Sequence, residues 1–314
     1  MRSGTSLLGH LLQKHPSGRR AHEALAFDND ESRFVADTFA ALRRAIRPDV
    51  GFGDPFRRIE VTDGLLLAAG LDGAAPRERF REALRAEIVR LAPPGAPPSM
   101  LGLKRTSMNY ELDVLAALFP DVRPVFTVRD PRDVYLSHAR RMGDAYGPGH
   151  SLLILSYILG NHWMLARLAR EGGRHLLVRY EDLVADPAAQ VQAILDFAGL
   201  DPAGYDFASL DSPSIPSNSS FNEKAGTDFV PDQGITRASI GRHRGAVDES
   251  TAQLVDLLCA PILEEHGYAP AFGDATWREE YAGPMRMLRD TCEATGVSFD
   301  PMARRLAELG VTLP

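Results

Sequence analysis

Three short apolar runs, Met100 to Leu103, Arg123 to Val128 and Arg174 to Val178, are separated by segments of helical period. Short buried strands that alternate with helices return to one sheet through crossovers, so the pattern predicts an α/β fold: a parallel sheet flanked by helices. Leu7, Leu8, Leu11 and Leu12 recur at helical spacing after Arg2-Ser3-Gly4-Thr5-Ser6, and His15-Pro16 ends that helix. Val35, Phe39, Leu42 and Ile46 mark a second helix, entered through Asp28-Asn29-Asp30. A third starts at Pro76 with the stripe Phe80, Leu84, Ile88 and Leu91, and its Glu78/Arg81, Glu82/Arg85 and Glu87/Arg90 pairs fall on the wet face. Leu152 to Leu168 is apolar around most of its circumference, which predicts a deeply buried helix. Asp186-Pro187 supplies an N-cap and first-turn proline, Val191, Ile194, Leu195 and Ala198 a buried stripe, and Gly199 the stop.

The chain is long enough, at 314 residues, for one or two domains with a full core. Its formal charge of −7 gives no global excess of positive charge with which to grip nucleic acid or an anionic membrane, so any anion must be held by a local site. The only cysteines, Cys259 and Cys292, are too few for a disulfide framework, and a reduced, cytoplasmic setting is expected. The run Leu152 to Leu159 is far shorter than a membrane span, and the leucines near Met1 imitate a signal peptide without a cleavage site. Residues 92–98 read as a Pro-rich linker and 211–234 as a long surface loop.

Two segments carry anion-binding chemistry. In Arg2-Ser3-Gly4-Thr5-Ser6 a glycine turn, two hydroxyls and the unpaired amides of a helix start converge, although a merely capped helix with a surface arginine has the same residues. In Val125 to Ser137 a buried strand delivers Arg129 at its C-terminal edge, where open α/β sheets bind ligands, a helix begins at Pro131, and Ser137 lies on that helix. An arginine fork plus a hydroxyl suits a phosphate monoester. A plain helix cap, with Arg132 and Asp133 exposed, accounts for Asp130 and Pro131 but not for the arginine at the strand end.

With both segments in hand, the sequence resembles the sulfotransferase family that uses 3′-phosphoadenosine-5′-phosphosulfate (PAPS), over roughly residues 2–268. The resemblance implies a P-loop-NTPase-like sulfotransferase fold in residues 1–272, in which 24–98 and 211–248, the parts outside the donor motifs, are expected on the acceptor side. Residues 273–314 fall outside the resemblance, and the helical pattern Trp277, Tyr281, Met285 and Leu288 predicts a C-terminal helical extension there. It implies that Arg2, Ser3, Gly4, Thr5 and Ser6 hold the 5′-phosphosulfate and that Arg129 and Ser137 hold the 3′-phosphate. Tyr180, in Leu177-Val178-Arg179-Tyr180-Glu181-Asp182-Leu183, resembles the residue that contacts adenine, and Arg242 and Arg244 resemble the C-terminal basic segment, with His243 where an aromatic residue is usual. Arg2 and Lys104, one of three lysines in the chain, are the cations expected at the leaving oxygen.

An alcohol or phenol acceptor requires a base. Cytosolic members carry a histidine shortly after the Lys104 position, whereas this chain reads Lys104-Arg105-Thr106-Ser107. Glu23 has the spacing from Arg2 of the catalytic glutamate in tyrosylprotein-type and some bacterial sulfotransferases; beside the donor's negative charge its pKa should rise, which suits general-base work. His22 is the fallback base. The resemblance also implies a strand and a proline ahead of Arg2, where this sequence has Met1, and without that strand neighbouring strand edges are expected to lie open. The expected acceptor is a small molecule, carbohydrate or lipid, and the arginine-rich, alanine-rich composition points to a bacterial source. A Walker-type kinase would need a second spaced glycine, a lysine and magnesium ligands that are absent from the motif. A PAP-binding scaffold remains the other alternative. Nine histidines without His-x-x-x-His or His/Cys spacing argue against a catalytic metal.

Overall fold

The computed structural model describes residues 4–13, 21–22, 24–28, 70–91, 99–104, 112–211, 235, 237–273 and 275–313. The helix at 35–46, the 92–98 linker and most of the 211–234 loop lie outside the described residues. Helix α1 (Thr5–Gln13) precedes β1 (Leu25–Asp28), α2 (Ala74–Leu91), β2 (Met100–Leu103), α3 (Leu112–Leu118) and β3 (Val125–Val128). Then come α4 (Pro131–Tyr146), α5 (Pro148–Arg170), β4 (Leu176–Arg179), α6 (Tyr180–Ala185) and α7 (Pro187–Ala198). Helices α8 (Glu249–Glu265), α9 (Ala282–Thr295) and α10 (Asp300–Glu308) complete the chain.

Both strand pairs among the described residues are parallel, as the alternation predicts: β1 pairs with β2 from Leu25↔Met100 to Asp28↔Leu103, and β3 with β4 from Val125↔Leu176 to Val128↔Arg179. Among the described residues the two pairs are separate two-stranded sheets. A cavity of about 360 Å³ is lined by both β2 (Met100 to Leu103) and β3 (Val125 to Thr127), with Leu8 and Leu12 of α1 also on its wall. Strand β1 is an addition: Leu25 to Asp28 is too short and too closely followed by the Asp28-Asn29-Asp30 cap signal to stand out by periodicity.

Helix α5 is the hub of the larger core. It is long and apolar enough by composition to cross a membrane, at a mean hydropathy of 1.3 over its best window. Its Ile154, Leu155 and Leu159 are instead fully buried within the protein, against Leu258 and Ile262 of α8, Met285 and Leu288 of α9 and Met302 of α10. Each such side chain contributes about 1.5–3 kcal/mol of burial free energy. Beyond α8 the chain forms a 3₁₀ turn (Glu279–Tyr281) and the two helices α9 and α10, packed on α5. A second core holds α1, β4, α6 and α7 together through Leu11, Leu183, Val191 and Leu195. Helix α7 starts and stops as its residues dictate: the Asp186 carboxylate accepts from Ala189 N–H, and Gly199 takes the left-handed conformation at φ 74°.

Candidate active site

The site grows from the end of β3. Asp130 caps α4 by accepting from Arg132 N–H at 2.9 Å, Pro131 fills the first turn, and Arg129 is left at the strand's C-terminal edge. The guanidinium of Arg129 stacks on the Tyr180 ring at 4.5 Å and donates from Nη2 to the Ser239 carbonyl at 2.5 Å. Tyr180 opens α6 directly after β4, and its hydroxyl is 2.5 Å from Ser239 Oγ. The same ring lies against Gly4 at the start of α1: a Cβ there would fall 2.3 Å from Tyr180 Cδ2, and the φ of 93° independently favours glycine. Elements from four distant parts of the chain thus meet around one arginine and one tyrosine. The N-terminus of α1 adds the helix's first amides and the positive end of its dipole.

Asp133 secures the fourth element. Its carboxylate accepts from Gly241 N–H at 2.7 Å, His243 N–H at 2.9 Å and His243 Nδ1 at 2.9 Å, and lies 3.7 Å from Arg129. Burial alone would raise the Asp133 pKa, but the His243 hydrogen bond, then Arg129, then the His243 and Gly241 amides hold it below the ordinary carboxylate range. The alternative of an exposed Arg132 and Asp133 is therefore corrected, since both are buried. Arg132 is bidentate on Asp130 and reaches Asp256 and the Ala269 carbonyl. Asp256 and Ala269 lie more than a hundred residues away, so local spacing gives no sign of them. Glu181 ties the two helix starts, accepting from Asp130 N–H at 3.1 Å and from the Tyr268 hydroxyl at 2.7 Å.

The remaining expected residues are distributed as follows. Thr5 is half-buried in the first turn of α1, and Lys104, one residue past β2, is buried; both line the cavity between the strand pairs. Ser6 lies in the same turn as Thr5, and Ser137 is half-buried on α4. Arg242 is half-buried and Arg244 exposed on the segment held by Asp133. His22 is buried, with Nδ1 accepting from Ala24 N–H at 3.1 Å and Nε2 donating to the Asp201 carbonyl at 2.8 Å. Arg2, Ser3 and Glu23 lie outside the described residues. Ser239, Asp133 and His243 were not marked by the sequence as a unit, although Asp133 stands at i+4 from Arg129 on a helix start. Burial pushes the thiols of Cys259 and Cys292 up to about 12, so neither serves as a nucleophile near neutrality.

Comparison with known proteins places the chain in a family. Residues 1–203 match the Sulfotransferase family, which is more than half of the 314-residue chain. The chain is 24% identical over 295 residues to nodulation protein NoeE of Sinorhizobium fredii (strain NBRC 101917 / NGR234), covering 85% of this chain and 64% of that protein, so it spans less than two thirds of that relative's length. It is also similar to the sulfotransferase domain from the Synechococcus PCC 7002 olefin synthase, with 21% identity, a TM-score of 0.47, and coverage of 85% of this chain and 92% of that one.

Proposed function

Because the chain belongs to the sulfotransferase family, we propose that it moves a sulfuryl group from PAPS to a hydroxyl or amine of a small-molecule, carbohydrate or lipid acceptor, by in-line displacement with a general base. The observation that carries the reading is the convergence of Gly4, Arg129 and Tyr180 under the Ser239 to His243 segment. A flat aromatic ring beside a glycine turn at a helix start, with a buried arginine on the ring, fits a purine nucleotide bearing phosphates on both sides. In this reading the amides and hydroxyls of Gly4, Thr5 and Ser6, with Arg2 and Ser3, hold the 5′-phosphosulfate. Arg129 and Ser137 take the 3′-phosphate, Tyr180 contacts adenine, and Arg242 and Arg244 close from the C-terminal segment.

The chemistry then follows from charge. A bond forms between the acceptor oxygen and sulfur while the bond from sulfur to the 5′-phosphate oxygen breaks, and that oxygen leaves with the electron pair as 3′-phosphoadenosine-5′-phosphate (PAP). Arg2, Lys104 and the α1 amides stabilise the charge that develops there. Glu23 takes the acceptor's proton. His22 is committed at both ring nitrogens, so in this reading it fixes the turn into β1 and leaves the proton to its neighbour. A sulfuryl group carries less charge than a terminal phosphoryl group, which lets arginine, lysine and amides do this work without a metal. A reducing cytoplasmic setting agrees with two buried free cysteines.

Transfer from radiolabelled PAPS across acceptor classes tests donor and acceptor together. Arg129→Ala is expected to weaken PAP binding by about 1.5–3 kcal/mol, roughly 10- to 150-fold, with the fold retained because the residue stands past a strand end. Titration calorimetry that finds unchanged affinity would remove the reading's main support. Adenosine 5′-phosphosulfate, which lacks the 3′-phosphate, should bind much more weakly than PAPS. Binding of PAP without transfer to any acceptor class would instead assign a scaffold role.

A further inference from the structure

No spacing along the chain marks a metal motif, yet the fold gathers His162 of α5, Glu265 at the end of α8 and His266 at its C-cap. One ligand atom from each lies within 4.8 Å of the others, and His162 Nδ1 is 3.1 Å from a Glu265 carboxylate oxygen. The two imidazoles are almost enclosed, whereas the Glu265 side chain is 49% exposed and gives the cluster an opening to water. We propose that these three side chains form a binding site for one zinc-type divalent cation, which cross-links α5 to the end of α8.

The donor set selects the ion. Two imidazole nitrogens and a carboxylate oxygen suit a borderline-soft dication, with water in the fourth position, while magnesium and calcium prefer oxygen alone. Ligand atoms around tetrahedral zinc stand about 3.4 Å apart, as follows from bonds of about 2.0–2.2 Å, so side-chain rotations of about 1 Å complete the site. Burial disfavours the charged form of both imidazoles. Glu265 and Glu308 face His162 with negative charge, and Arg304 and Arg179 oppose them. Both arginines are already engaged on aromatic rings, Arg304 over Trp163 and Arg179 over Tyr268. The carbonyl end of α8 further favours a cation.

This site is separate from the Arg129 cluster but linked to it. The His266 ring packs edge-on against Tyr268, whose hydroxyl donates to Glu181, which in turn accepts from the Asp130 amide beside Arg129. A bound cation would therefore stiffen the support of the β3–α4 turn without touching the reacting groups.

The full chain, stripped of metal by a chelator, is titrated with zinc in a calorimeter. Expected are one zinc per chain, a raised melting temperature, and with cobalt(II) in place of zinc the intense visible band of a four-coordinate ion. His162→Ala and His266→Ala should each weaken binding about tenfold or more, and Glu265→Gln should weaken it too, while His175→Ala should not. Circular dichroism of the metal-free variants checks that they fold. If either variant does not fold, zinc protection of His162 and His266 from diethyl pyrocarbonate in the unaltered protein, read by mass spectrometry, replaces it. No stoichiometric binding below about 100 µM zinc, binding that survives the double His162/His266 substitution, or unprotected histidines would each overturn the proposal.

Discussion

Glu23→Gln is expected to lower turnover by about 10²- to 10⁴-fold while donor affinity changes little. The amide keeps the size and shape of the side chain and removes only its capacity to take a proton, so the loss belongs to the step in which the acceptor oxygen bonds to sulfur. On the proposed reading, the neighbours of Glu23 leave the proton to it. Ala24 N–H occupies the His22 Nδ1 lone pair, and Nε2 carries its proton toward the Asp201 carbonyl. An imidazole held in that tautomer by two backbone groups has no lone pair to offer a substrate. Steady-state kinetics with a confirmed acceptor measures the effect. A loss below tenfold would point to an acceptor that needs no base, such as an amine or an already ionised phenol. A loss confined to donor binding would make Glu23 part of the phosphate loop.

Local rules made much of the framework legible. Asp186, Pro187 and Gly199 mark both ends of α7 because capping and left-handed backbone are properties of single residues. Arg129 is visible because a short apolar strand followed by Asp-Pro leaves one residue at the sheet's edge. What escaped was tertiary. Asp133 looks like an ordinary first-turn acid, and only the return of the chain at Gly241 and His243 buries it. Arg132 looks like a surface cation until Asp256 and the Ala269 carbonyl enclose it. The pairing of β1 with β2 brings together residues more than seventy positions apart, from a run of four that no periodicity can distinguish from a loop.

Asp133→Ala should destabilise the folded state by about 3–5 kcal/mol, the cost of removing one partner from a buried charged cluster. Arg129 loses the Asp133 carboxylate, His243 Nδ1 and two backbone amides lose their acceptor, and all of them lie where water does not readily replace it. Chemical denaturation at pH 7 reads the loss, and Asp133→Asn separates shape from charge by keeping the volume. The same group imposes a pH dependence. Its folded pKa lies below the unfolded value of about 3.9, because His243, Arg129 and the two amides outweigh the opposing effect of burial. Such a group contributes its full stability above the unfolded pKa and loses it as the pH falls through the folded pKa. The stability gap between the unaltered protein and Asp133→Asn should hold from neutrality to about pH 5 and then close as the solution is acidified below about pH 4. PAP affinity should fall with the same substitution at neutral pH, because the carboxylate both anchors the Gly241 to His243 segment and helps aim Arg129. An Asp133→Asn protein with unaltered stability and unaltered PAP affinity would show that the segment is held by other contacts and that Arg129 keeps its place without the carboxylate.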